Sequence, residues 1–211
     1  VDETPYFHVN STAVGNSTLA NSGATGANAM AAGPSALASG ASSIALGDGA
    51  AAMTTDAVVI GRGARSIGIP TINTGAVVIG ADAFTGGGGG SVPGGGTGYA
   101  TVTIGAKAQG TGTGAVAVGD SSRANTGSVA IGPNAIAGGT PNAGLGTNLS
   151  QIAIGTGARA GADLVGAGAV TGAIAIGTNA IASPGTVRVS NTMALGNNTS
   201  ATAIGSVALG N

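Results

Sequence analysis

Along this chain the large apolar residues come in pairs, separated by one small residue and closed by a glycine. The phrase reads IALG at 44–47, VVIG at 58–61 and 77–80, VTIG at 102–105 and VAVG at 116–119. It returns as VAIG at 129–132, IAIG at 152–155 and 174–177, MALG at 193–196 and VALG at 207–210. Weaker copies are TAVG at 12–15 and TAIG at 202–205. Aliphatics at i and i+2 have the period of a strand and lack the i, i+3, i+4 spacing of a helix. Each phrase therefore predicts a short strand, and its glycine turns the chain where a Cβ would obstruct it.

The polar and small positions between the phrases predict a second strand. Three residues past each glycine stands a small residue, such as Ala50, Ala64, Ala108 or Ser122, and five past it stands another, such as Ala52, Ser66, Ala124 or Ala160. The position between them varies: Leu19, Leu37, Ala51, Arg65, Phe84, Gln109, Arg123, Ile136, Arg159, Ile181 and Ser200. Alternation puts this column on the face opposite its small neighbours, hence outside. Gly47 to Gly61, Gly105 to Gly119 and Gly196 to Gly210 are each 14 residues apart, and longer gaps read as 14 residues plus an insertion. Two short strands and two tight turns per unit make a flat coil. A dozen such coils, stacked in parallel about 4.8 Å apart, give a rod on the order of 60 Å long. The expected fold is all-β, a parallel β-roll of about 14-residue, two-strand coils with loop insertions.

Two expectations follow about where the side chains go. The paired aliphatics are expected to fill the coil. The alanine between them then points the other way, toward a partner chain that approaches closely. So thin a coil buries little per ordered residue, so an oligomer with a small-residue interface is expected.

Composition narrows the class. Of 211 residues 43 are Gly, 43% are hydrophobic, 6% are charged and the net charge is −1. Disordered chains are poor in aliphatics and high in net charge, so glycine here does not mean disorder. No basic run exists to release counterions from nucleic acid. No window holds the 18 or more apolar residues of a membrane helix, so this piece is expected to make no membrane contact itself. The absence of Cys removes disulfides and thiolate chemistry. With Val1 at its start and no leader pattern, the chain reads as a piece of a longer protein.

The segments SIALG (43–47), GSVAIGPNAIA (127–137) and IAIGTNAIA (174–182) resemble the YadA-like head repeats of trimeric autotransporter adhesins from Gram-negative bacteria. YFHVNS at 6–11 is similar to the segment that often precedes such heads. The resemblance implies a left-handed roll, against the usual crossover preference, and a homotrimer around one axis. It also implies cell-surface display in virulence, with outer-membrane anchoring through neck, stalk and barrel parts outside these 211 residues, and binding to host extracellular matrix proteins or cells. Residues 1–11 would be a lead-in or cap and 12–211 the head, with insertions at 66–74, 85–99, 138–150 and 161–172.

Candidate ligand-binding residues are those of the outer column and loops: Arg65, Phe84, Tyr99, Arg123, Ile136, Arg159 and Ile181. Three basic residues fall in the column, and a mildly basic, apolar stripe could touch a ligand. Phe84 and Tyr99 either pack their own loop or anchor a partner. Catalysis finds no support. GDGAAA (47–52), GRGARS (61–66) and GTGARA (155–160) begin like dinucleotide loops, but none completes G-x-G-x-x-G. His8 is the sole histidine, set beside Tyr6 and Phe7 with no second group to form an acid–base pair. Asp48 and Asp120 both follow a repeat glycine, without the neighbours that would hold a cation. No cofactor or metal site is expected. Three functions compete: an adhesin head, a structural spacer of the fibre, and an ice-binding solenoid. The last needs a Thr-x-Thr ladder, and only TVT at 101–103 fits.

Overall fold

The computed structural model describes residues 23–68, 74–86, 101–138, 150–161, 172–182 and 191–210. Eleven strands, from Met30–Ala32 to Val207–Leu209, form one sheet, and ten, from Leu37–Ala38 to Ser200–Ala201, form the other. The chain alternates between the sheets, and every pairing is parallel. This is a parallel β-roll. The first sheet, eleven rungs at about 4.8 Å, is roughly 50 Å long.

Insertions do not break the stacking. Val77 lies beside Val102 and Val129 beside Ile152, just as Ile44 lies beside Val58 across a regular gap. A long gap in the sequence is one rung in space.

Both corners of a coil are tight turns. After Gly47, Ala50 N–H donates to the Gly47 carbonyl at 3.2 Å with Gly49 at φ 63°. The other corner repeats this at Asn125, where Ser128 N–H donates to the carbonyl at 2.9 Å and Gly127 sits at φ 63°. A positive φ at the third turn residue suits Gly and Asn, and Pro fits the second position. The third residues include Gly49, Gly63, Asn134 and Asn179. Pro34 and Pro133 take the second position.

The repeat glycine answers a separate demand. Gly47 has φ 129°, and a Cβ on it would stand 2.7 Å from the carbonyl oxygen of Gly61, one coil on. Glycines thus stack on glycines along the roll.

The interior reverses one sequence expectation. The middle residue of each first-sheet strand faces into the coil. From Ala45 through Val59, Val78, Thr103 and Ala130 to Ala194, these residues are 0% exposed. The flanking aliphatics are half-buried or exposed and point outward. The aliphatics therefore do not fill the coil, and the alanines cannot form an interface. The reason is width. Two corners of so few residues leave room between the sheets for side chains no larger than valine at this position. The second strand follows the expected pattern, with Ala52, Ser66, Ala137 and Ala160 at 0% beneath the outer column.

In one coil a larger inner side chain is matched by a smaller one opposite. Thr103 is larger than the usual alanine, and Gly110 stands across from it. A Cβ on Gly110 would strike the Thr103 hydroxyl. Several buried hydroxyls find partners locally: Thr54 and Ser66 bond at 2.6 Å, and Thr85 Oγ1 lies 2.8 Å from Thr101 Oγ1 and 3.0 Å from the Gly110 carbonyl oxygen.

Candidate ligand-binding face

The second sheet's inward positions are small because the coil is narrow, so everything variable about this sheet is displayed outward. Parallel register then lines those positions up. Arg65 pairs with Phe84, Phe84 with Gln109 and Gln109 with Arg123. Arg123 continues to Ile136, Ile136 to Arg159 and Arg159 to Ile181. Six of the seven candidate residues thus stand in one unbroken column. Tyr99, the seventh, lies outside the described residues, as do His8, the lead-in 1–11 and most of each insertion.

The column is not uniform. Arg65 and Arg123 are exposed, whereas Phe84, Ile136, Arg159 and Ile181 are half-buried. The Phe84 ring lies beside Gly86, two residues on along the same face, where a Cβ would come within 2.6 Å of its Cζ. That aromatic packs on its own strand. Ile67, also outward on the Arg65–Ile67 strand, widens the apolar part of the face at this point.

Charge is sorted by position. Among the described residues the first sheet carries no charged side chain, and the strands of the second sheet carry arginines but no acid. The acids Asp48, Asp56, Asp82 and Asp120 all sit in the corners, exposed. Asp82 pairs with Arg62 across adjacent coils at 3.1 Å, with side chains 45% and 64% exposed respectively. So open a pair contributes little stability. The same corners are stitched by asparagines: Thr178 N–H donates to Asn197 Oδ1 at 3.1 Å, and Asn179 Nδ2 to Asn198 Oδ1 at 3.3 Å. Among the described residues, no three His, Cys, Asp or Glu side chains gather as a metal site would require.

One surface was missed by the sequence reading because its strands were turned the wrong way. The first sheet's outward face is two parallel stripes of aliphatics, Met30, Ile44, Val58 onward and Leu46, Ile60, Ile79 onward. A signal did exist. The middle position of the phrase never exceeds valine in size, while its flanks reach Met, Leu and Ile. A ceiling on size marks an interior. The TVT segment, by contrast, is no outward threonine ladder, since Thr101 and Thr103 are buried.

A family model described as the YadA head domain repeat, in two copies, matches residues 24–50, 111–135, 125–140, 171–185 and 190–211. No curated protein matches the chain in sequence.

Proposed function

Since the chain carries the YadA head domain repeat, we propose that it is the adhesive head of a trimeric autotransporter adhesin, displayed on a bacterial surface fibre. Three copies assemble side by side and hold host matrix proteins or cells by their outward strands and loops. The carrying observation is the aliphatic face of the first sheet. Ile60, Ile104, Ile131 and Ile176 stay 36–39% exposed in one chain, on a face with no charge among the described residues. Soluble monomers rarely leave a continuous apolar surface of more than a few hundred Å² open to water. A threefold arrangement would turn these stripes toward one axis and bury them. The second sheet and the loops would then be the displayed surfaces. Three identical displays turn modest contacts into avidity.

Light scattering and capture on immobilised collagen test this together. The expected result is a particle of about three times the 19.1 kDa chain mass that binds saturably. A monomer would overturn the assembly. A trimer that captures no matrix component would make the chain a spacer of the fibre instead.

A further inference from the structure

We infer that the outward face of the second sheet binds a linear sulfated polysaccharide, gripped by Arg65, Arg123 and Arg159. This rests on the adhesin reading, because it assumes that the face is displayed. Nothing in the net charge of −1 suggests it. The placement of the charges does. Among the described residues the three cations of the second sheet share one column, no acid shares their strands, and the acids are confined to the corners on either side.

Geometry selects the shape of the ligand. Arg65 and Arg123 are three rungs apart and Arg123 and Arg159 two, so the column spans about 24 Å along the roll at about 4.8 Å per rung. A straight row of cations suits a chain laid along the axis. One corner beside this row mixes its charges, with Asp48 and Asp120, the Arg62–Asp82 pair and Lys107, and the other carries Asp56. Guanidinium offers sulfate two parallel N–H donors, which suits arginine better than lysine here. Between the cations stand Phe84 and Ile136, with Ile181 just beyond Arg159, apolar surface for the C–H faces of sugar rings. Nucleic acid fits less well, because bases seek aromatic planes to stack on and the column's one aromatic, Phe84, packs on its own strand.

The test is binding of the intact chain to immobilised heparin, with unsulfated hyaluronan and a single-stranded oligonucleotide as comparisons, over a salt series. Heparin is expected to bind at least tenfold more tightly than either, with a log–log salt slope near −2 for three neutralised cations. The variant Arg65→Ser/Arg123→Ser changes two exposed side chains and spares the half-buried Arg159. It should lose at least tenfold in heparin affinity while keeping its mass and its melting temperature. Equal binding of hyaluronan or oligonucleotide would overturn the inference, as would an unaffected variant. Collagen capture without heparin binding would sink the polysaccharide and leave the adhesin reading standing. An intact trimer of the unsubstituted chain that captures neither would sink the two together.

Discussion

Gly47 and Gly49 occupy one corner, two residues apart, under different constraints. Gly47 combines φ 129° with a carbonyl oxygen 2.7 Å from where its Cβ would be, and that oxygen belongs to the next coil's backbone. Gly49 has φ 63°, and a Cβ there would meet nothing within 4 Å. The first is closed by both conformation and space, the second by conformation alone. Gly47→Ala should therefore cost on the order of 3 kcal/mol or more, because the next coil must move. Gly49→Ala should cost about 1 kcal/mol, the ordinary cost of the left-handed region. Thermal unfolding of the two variants checks this, and equal losses would refute the stacked-glycine account. The glycine's role as a corner was legible in the sequence from its place after each strand. Its stacking on the next glycine was not, because that depends on which coils are neighbours.

At the scale of the strand, the interior is a fitted set. Thr103 faces Gly110, where most other coils set alanine against alanine and two set Val59 against Ser66 and Val78 against Thr85. Gly110→Ala should destabilise by about 1–3 kcal/mol through overpacking against the Thr103 hydroxyl. Thr103→Ala in the same chain should recover most of that loss, and a double-mutant cycle in denaturant reads the coupling. Purely additive costs would show that the two sides do not touch. The strand periods were readable from spacing alone, since i and i+2 aliphatics and the Ala50-x-Ala52 pattern admit little else. The direction of the first strand was not. Period 2 says that Ile44 and Leu46 share one face and Ala45 the other, but it is silent about which face is inside. Large apolar residues usually win that contest. Here coil width decides, and width is a property of the corners rather than of the strand.

For the whole molecule, that reversal moves the proposed assembly surface from the alanines to the aliphatic stripes, and it makes the proposed assembly testable within one coil. Ile131 lies on the first sheet's outward face and Ile136, five residues on, on the second sheet's. Both are isoleucines directed out of the same coil, 39% exposed and half-buried respectively in the single chain. If three copies join through the first sheet, Ile131→Glu places three carboxylates around a buried axis. An unpaired charge in such a place costs several kcal/mol, enough to dissociate the particle or shift its melting sharply down. Ile136→Glu puts the same charge on the displayed column and should leave the mass at three chains. It should also weaken heparin binding by setting an anion between Arg123 and Arg159. Light scattering of the two variants separates the faces. If Ile136→Glu dissociates the particle and Ile131→Glu does not, then the second sheet is the interface, and the arginine column is buried in the assembly rather than offered to a ligand.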